Sequence, residues 1–456
     1  MIDQSPRTTG FSPDQLHEVA RKVLRATDAD EAQVTLDGHT EHLTRFANNY
    51  IHQNVSESDL TVTIRVAFGT KVGQAITNDL SDDALARAVE SAEQLAKLQP
   101  ENLEFPGFAR PQAVRGVDAT SDRTLGFTPG DRARVVKHVT DDAAKEGLTA
   151  AGSFKTGLRQ IAIANSHDLF AYHQHTLADF NTVVMGDDSS GWAADVHLDA
   201  GLVDGEALAE EAIDKAMRSR KPQSLEPGHY TVVLEEYAVL DMLMYLGMHL
   251  GAEEVREGRS FLTGRAGEQL IHPDISIWDD GHDISGIPAP FDFEGTPKQR
   301  VEIFTRGKAG TACYDMRTAK LDGRLSTGHY SGGSPFWGAG PQAWNLFMGA
   351  GRHTKDEMLE STERGIWVTR FHYCNMLDPR KTTLTGMTRD GTFLIEDGKL
   401  TKPLLNMRFT HAVLDALRDV VMVGSKTKLE CNYFGGGNRA PALKIENFRF
   451  TGKTSF

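Results

Sequence analysis

The chain has 456 residues, of which 39% are hydrophobic and 25% charged, as is usual for a folded globular protein. Its 63 acidic residues outnumber 49 basic ones, giving a net charge of −14 without a basic cluster, so we expect no nucleic-acid partner. The opening residues lack a signal-peptide pattern and no apolar run reaches about 18 residues, so we expect no membrane association and a cytoplasmic location. The chain has three cysteines, Cys313, Cys374 and Cys431, which are too few to form a disulfide framework.

The first part of the chain predicts helices packed on an antiparallel sheet. Ser12 can cap a helix whose first position is Pro13, and apolar residues then fall on one face as far as Leu24. Several short segments with alternating apolar residues follow on both sides of a turn at Gly69, and they predict antiparallel strands. A second helix begins after Ser81. Its predicted buried stripe consists of Ala84, Leu85, Ala88, Val89, Ala92, Leu95 and Ala96.

Further helices and strands lead to a predicted domain boundary. A capped helix over residues 128–147, two or three strands and a helix over residues 204–220 complete the first half. Residues 221–230 contain two prolines and a glycine and have the composition of a linker. Because the chain is longer than most single cores, we predict two domains, residues 1–226 and 227–456.

Strands predominate in the second half of the sequence. Asp397-Gly398 predicts a tight hairpin turn, because this dipeptide tolerates positive φ angles. Two helices are predicted among the strands, one after Glu235 and one over residues 410–424. The pattern as a whole predicts a two-domain α+β protein.

Histidines near the amino terminus are the first metal candidates. A zinc-protease helix needs two histidines about one turn apart with a glutamate beside the first. The His17-Glu18 pair has Arg21 where the second histidine would stand, which favours a surface position on a helix. His39 and His42 fall in a predicted loop without a third ligand, so a solvated loop is favoured over a metal site there.

Later in the chain, two pairs of residues could share a strand face. His173 and His175 have a chelating spacing, although a polar sheet face is the favoured interpretation. His372 and Cys374 could form a thiolate pair, although two structural residues are favoured. The glycine run at residues 435–438 lacks the Lys-Ser/Thr that a phosphate-binding loop requires.

Paired carboxylates mark the start of the predicted helix after residue 234. Glu235 and Glu236 are well placed to interact with the positive end of the helix dipole, and this alone could explain them. The helix that follows is apolar around most of its circumference, which is typical of a buried helix. Other segments of the same chain, or in part a second chain, must therefore pack over this helix. We expect Leu243 and Leu246 to be essential for folding or assembly.

Six segments of the chain carry a resemblance to a known family: "TVTIRVAFGTKVGQAITNDLSDDALARAVESAEQLAK", "GRSFLTGRAGEQL", "PFDFEGTPKQRVEIFTRGKAGTACYDMRTAKLDG", "LSTGHY", "ERGIWVTRFH" and "TRDGTFLIEDGKL". In the family's order and over nearly the whole chain, these segments resemble the TldD/PmbA (TldE) metallopeptidases. The fold that this resemblance implies is α+β, with amino-terminal helices on an antiparallel sheet and a carboxyl-terminal domain dominated by a curved β-sheet.

In the catalytic branch of this family, a His-Glu-x-x-x-His motif follows a strand, and a cysteine near the carboxyl terminus completes the zinc site. Matching "VVLEEYAVL" to that motif puts Glu235 at the first histidine, Glu236 at the glutamate and Leu240 at the second histidine. Cys431 matches the cysteine segment, although the stretch after it is shorter here. Both imidazole ligands are therefore missing, and the resemblance implies a degenerate site with no catalytic residue.

This pattern is most similar to the TldE (PmbA) branch. The resemblance then implies a non-catalytic subunit that pairs with a TldD-type subunit and acts on unfolded peptides, with a homodimer as the form adopted without that partner. No cofactor is expected in this chain, and zinc is expected in the TldD-type partner. Two other hypotheses remain: an autonomous hydrolase with Glu235, Glu236 and Cys431 around a metal, and a self-associating peptide-binding scaffold.

Overall fold

The computed structural model describes residues 10–333, 339–431 and 436–454, and it contains two β-sheets with helices packed on them. The smaller sheet is antiparallel, with strand order β3-β2-β1-β4-β5-β6. Its part of the chain consists of α1 (Pro13–Ala26), β1 (Glu31–Ala47), β2 (Tyr50–Phe68), β3 (Lys71–Thr77), α2 (Asp82–Leu98), α3 (Asp122–Leu125), α4 (Pro129–Lys145), β4 (Thr149–Asn165), β5 (Phe170–Met185), β6 (Ser190–His197) and α5 (Gly205–Arg218).

The larger sheet is mixed, and five of its strands close into a ring. β7 pairs in parallel with β12 and antiparallel with β17, which completes the circuit β7-β12-β13-β15-β17. This part consists of β7 (Gly228–Leu234), α6 (Glu236–Gly247), α7 (Ala252–Arg256), β8 (Ile277–Asp279), β9 (Val301–Thr305), β10 (Lys308–Ala309), α8 (Met316–Leu321), β11 (Leu346–Met348), α9 (Lys355–Glu360), β12 (Arg364–Asp378), β13 (Thr383–Glu396), β14 (Lys399–Pro403), β15 (Met407–Ala412), α10 (Val413–Arg418), β16 (Val420–Cys431) and β17 (Gly437–Lys453).

The predicted α+β class is confirmed, with amino-terminal helices on an antiparallel sheet followed by a strongly curved sheet. The local signals also predicted their elements correctly. Ser12 forms a capping box with Gln15 at the start of α1, and Ser81 caps α2. Asp397 and Gly398 both have positive φ angles in the turn between β13 and β14.

Leu95 was wrongly assigned to the buried stripe of α2, since 44% of it is exposed. The helix approaches β3 at Gly73, where an added Cβ would lie 2.1 Å from the carbonyl oxygen of Ala92 and 2.4 Å from the amide nitrogen of Ala96. Small residues therefore form the contact, and Leu95 remains outside it.

The amino-terminal strands are longer than the sequence indicated. Two strands of 17 and 19 residues, β1 and β2, replace the short segments predicted before Gly69. Asn48 and Asn49, both with positive φ angles, form the turn that joins them. His39 and His42 therefore lie inside β1 and not in a loop, because both edges of β1 at these positions are paired with β2 and β4.

The helix predicted over residues 410–424 is mostly wrong. Only Val413–Arg418 is helical, and β16 begins at Val420. Val420 and Val423 pair with Ile445 and Leu443 of β17, and this tertiary pairing suits β-branched side chains.

α6 is covered by its own chain. Tyr237, Leu240, Leu243 and Leu246 are each at most 3% exposed, and the helix packs against β12 and β17. The apolar helix thus gives no separate argument for a partner chain. Within the described ranges, no helix is both long and apolar enough to cross a bilayer.

Candidate functional site

The site begins where β7 ends and α6 starts. Leu234 is fully buried, and Glu235 follows it as the residue before the first turn of α6, with extended backbone angles. Glu235 and Glu236 are only 2% and 3% exposed. The carboxylate of Glu235 is bonded to side chains instead of capping the helix, so the helix dipole alone does not explain it.

Glu235 is held by three donors. The Lys215 ammonium group lies 2.8 Å from Oε2. The indole N–H of Trp367 donates to Oε1 over 2.7 Å, and the hydroxyl of Thr369 donates to the same oxygen over 3.2 Å. α5 supplies Lys215, and β12 supplies the other two donors. This carboxylate therefore links the part of the chain that contains the smaller sheet to the part that contains the larger sheet.

Further ion pairs extend from Glu235 into what we call the charge network. Lys215 also bonds Glu211, at 2.7 Å, and Lys428 bonds the other oxygen of Glu211, at 3.1 Å. Glu236 pairs with Lys355 at 3.1 Å. The charge network comprises three carboxylates and three ammonium groups: Glu211, Lys215, Glu235, Glu236, Lys355 and Lys428.

Opposite charges in the network shift the pKa values of four of its members, Glu211, Lys215, Glu235 and Lys355. Burial alone would raise the pKa of Glu235, but the Lys215 and Lys355 charges outweigh it and hold that pKa below its usual value. Burial would also raise the pKa of Glu211, but the Lys215 and Lys428 charges lower it to about 2. The carboxylates raise the pKa of Lys215 and Lys355 above the ordinary value for lysine, although burial opposes this.

The other positions of the degenerate motif lie apart from the network. Leu240 is buried in the apolar core of the larger sheet's part. Cys431 lies opposite Gly437 in β17, whereas Leu234 lies opposite Leu443. The intervening residues of β17 span roughly 20 Å at about 3.3 Å per residue. The structure therefore brings Glu235 and Glu236 together without Cys431.

Cys431 instead lines a cleft between the smaller sheet and loops of the carboxyl-terminal part, with a volume of about 630 Å³. Arg159 and His175 line the sheet side, and Trp344 lines the loop side. Burial raises the pKa of the Cys431 thiol, and neighbouring Asp179 raises it further. A protonated thiol is a weak nucleophile and a weak metal ligand.

The remaining histidine candidates do not assemble a site. His173 and His175 have ring centroids 5.8 Å apart, and burial lowers their pKa values to about 4 and about 3. His173 Nε2 donates to the carbonyl of Pro288 over 3.0 Å. His17 stacks on Phe170, with centroids 4.2 Å apart. Over residues 10–333, 339–431 and 436–454, no three His, Cys, Asp or Glu side chains are grouped so as to hold a metal ion.

The predicted pairing of His372 with Cys374 also fails as a thiolate site. Tyr373 between them has a positive φ angle, and the register of β12 against β13 shifts there, so the regular alternation of the strand is broken. Cys374 lies in the apolar core, where burial raises its pKa. The glycine run at residues 435–438 begins outside the described residues.

Sequence reasoning found two of the three glutamates of the network, Glu235 and Glu236, and missed Glu211 and the lysines. Glu211 and Lys215 are spaced as an ordinary solvent-exposed pair on a helix, and this spacing was the only local signal. Lys355 and Lys428 are 119 and 217 residues from their carboxylate partners. Such pairings follow from the fold and from no local pattern.

The carboxyl group of Asp241, about one turn after Glu236 in α6, leads to a prediction about how stability depends on pH. Its Oδ2 accepts the backbone N–H of Phe371 at 3.1 Å, while neighbouring Arg370 pairs with Asp390 at 2.7 Å. Burial raises the pKa of Asp241 to about 7, although the Arg370 charge opposes the rise. A carboxyl group whose pKa is higher in the folded state destabilises the fold above that pKa, and the penalty disappears as the pH falls from about 7 to about 4.

We therefore expect Asp241→Asn to stabilise the protein at pH 8 and to change little at pH 4.5. The pKa difference sets an upper bound of roughly 4 kcal/mol. Because the side chain is partly exposed, we expect a gain of about 2 kcal/mol. Urea unfolding at the two pH values measures it, and an equal effect at both would contradict the assignment.

Three family models match the chain: PmbA/TldA metallopeptidase domain 1 over residues 36–96, the central domain over residues 127–220 and the C-terminal domain over residues 227–452. The chain belongs to the PmbA/TldD metallopeptidase family. The resemblance inferred from the sequence is thereby confirmed.

Curated PmbA/TldD relatives match most of the chain at low identity. Metalloprotease PmbA of Escherichia coli O157:H7 is 21% identical over 401 residues, which cover 85% of this chain and 86% of the relative. A metalloprotease TldD homolog of Haemophilus influenzae is 23% identical over 430 residues, covering 86% and 87%.

Solved structures share the fold. TldE from Thermococcus kodakarensis has a TM-score of 0.87 at 18% identity, covering 96% of this chain and all of the other. A putative modulator of a DNA gyrase from Thermotoga maritima has a TM-score of 0.81 at 20% identity, with the same coverage.

The residues at the motif positions do not fit a zinc ion. Zinc takes three or four ligands from histidine, cysteine and carboxylate side chains. Here Leu240 has no donor atom, Cys431 is remote, and the Glu235 carboxylate is already engaged by an ammonium group, an indole N–H and a hydroxyl group.

Proposed function

We propose that this chain is a non-catalytic, TldE-like subunit of a zinc metallopeptidase complex that degrades or processes unfolded peptides. The observation that carries the proposal is the closed charge network at the motif position, where Glu235 is engaged by Lys215, Trp367 and Thr369. In this proposal, a TldD-type subunit with an intact His-Glu-x-x-x-His motif supplies the zinc ion and the chemistry.

The cleft supports a role in holding peptide for the partner. Its volume is in the range of sites for small ligands or for a few residues of an extended peptide. Arg159 on its wall is held by Asp37 through two hydrogen bonds, of 3.1 and 2.8 Å, so that a polar contact surface is already ordered. An autonomous hydrolase would need Glu235, Glu236 and Cys431 around one metal, and the separation of Cys431 from the glutamates argues against it.

The proposal predicts that the isolated chain holds no stoichiometric zinc and cleaves no unfolded peptide. Mixed with a TldD-type relative, it should form a heterodimer that contains zinc and has peptidase activity. Metal analysis after dialysis, light scattering and cleavage of a denatured protein substrate measure these outcomes. A TldD-type subunit whose motif glutamate is replaced by Gln serves as the inactive control.

Two results would contradict the proposal. About one zinc per isolated chain, with cleavage that Cys431→Ala abolishes, would favour the autonomous hydrolase. If the chain forms only homodimers and does not bind the TldD-type relative, this result would favour a self-associating peptide-binding scaffold.

A further inference from the structure

The ammonium group of Lys215 occupies an enclosed position lined by oxygen atoms. Its Nζ lies 2.7 Å from Glu211 Oε1, 2.8 Å from Glu235 Oε2 and 3.3 Å from the carbonyl oxygen of Trp192. The ring of Tyr237 lies on another side, with its centroid 5.3 Å from Nζ. Only 11% of the lysine side chain is exposed. The acceptors come from α5, the start of α6 and β6, three separate elements.

This arrangement has the chemistry of a cation site. An ammonium group has three N–H donors, and the three oxygens provide one acceptor for each. Two carboxylates and a backbone carbonyl are also the oxygen ligands that hard divalent cations such as Mn²⁺ and Ca²⁺ prefer. Two separate carboxylates would not approach one point in a buried place without a positive charge between them.

We propose that the Lys215 side chain is a tethered cation, which fills an oxygen-lined cation site and fastens α5 to the amino terminus of α6. With Lys215 present, the charge network has equal numbers of positive and negative groups. Without it, Glu211 and Glu235 would repel each other, and the network would carry a net negative charge. A free cation should then occupy the vacated position.

Lys215→Ala tests this inference, because it removes the ammonium group and leaves room at the oxygen ligands. The probe is Mn²⁺ alone, added to protein first treated with a chelator and counted by electron paramagnetic resonance. We expect Lys215→Ala to bind about one Mn²⁺ per chain with a Kd of about 0.1–1 mM, within the range of weak oxygen-ligand sites. Mn²⁺ should also raise its melting temperature, which mass action requires of a ligand that binds only the folded state.

Matched variants localise the effect. The wild type and Lys215→Met, whose apolar side chain fills the space without a charge, should show neither Mn²⁺ binding at this level nor a melting shift. Adding Glu235→Gln to Lys215→Ala should weaken Mn²⁺ binding at least tenfold. Lys137→Ala, which removes a lysine whose side chain is 69% exposed, controls for general charge effects.

The inference would be overturned if Lys215→Ala bound no more Mn²⁺ than the wild type. Should Lys215→Ala be unfolded without metal, Mn²⁺ should restore its near-ultraviolet circular dichroism, and failure to do so would equally overturn the inference. All measurements use the chain by itself, so neither result depends on a TldD-type partner.

Discussion

Leu246→Asp is expected to prevent the chain from folding. Leu246 is fully buried in the core between α6 and the ring of strands. Removing a leucine side chain from a core costs about 2–5 kcal/mol, and burying an unpaired carboxylate adds several more. The sum is comparable to the whole stability of a typical protein, about 5–15 kcal/mol. Soluble yield and far-ultraviolet circular dichroism measure the loss, and we expect a similar result for Leu243→Asp.

Leu98→Asp is the matched control for this prediction. Leu98 lies at the end of α2 and is 80% exposed, so the same substitution should change the free energy of unfolding by no more than about 0.5 kcal/mol. If Leu246→Asp folded with the urea midpoint of the wild type, the packing of α6 described above would be wrong.

Glu235→Ala is expected to lower the free energy of unfolding by about 3–5 kcal/mol. The substitution leaves the Lys215 ammonium group buried with one carboxylate instead of two, and it removes the acceptor of the Trp367 indole and the Thr369 hydroxyl. Breaking a buried ion pair on one side costs this much, because the remaining charge is no longer compensated. Urea unfolding at pH 7 measures the change.

An exposed ion pair provides the comparison for Glu235. Glu18 pairs with Arg21 at 3.0 Å on the surface of α1, and both side chains are about half exposed. We expect Glu18→Ala to cost less than about 1 kcal/mol, as is usual for surface pairs. Equal losses for the two variants would mean that the charge network contributes no more than a surface pair.

Local signals in the sequence predicted the elements whose structure depends on a few neighbouring residues. Ser12 and Ser81 cap their helices because a hydroxyl reaches an amide three residues along the chain. The hairpin at Asp397-Gly398 could be predicted because this dipeptide tolerates the positive φ angles found there. The degenerate motif at Glu235 was likewise readable from consecutive residues.

Predictions failed where distant segments decide the structure. Val420 and its neighbours follow a helical pattern locally, but they form a strand because they pair with β17. Similarly, the partners of Glu235 and Glu236 lie on α5, α9 and β12, and only the tertiary fold brings them together. The sequence alone thus singled out Glu235 and Glu236, but not the lysines that pair with them.

The ring of strands also constrains the order of folding. β7 needs β17 as a neighbour, and Leu234 pairs with Leu443, more than 200 residues later in the chain. Contacts between such distant residues slow folding, since a large loop entropy is lost before the contact forms. During synthesis, β7 and α6 leave the ribosome long before residues 437–453, with one edge of β7 unpaired and the apolar surface of α6 incompletely covered. Nascent chains are therefore exposed to aggregation until this last strand emerges, and folding of the carboxyl-terminal part is a late event.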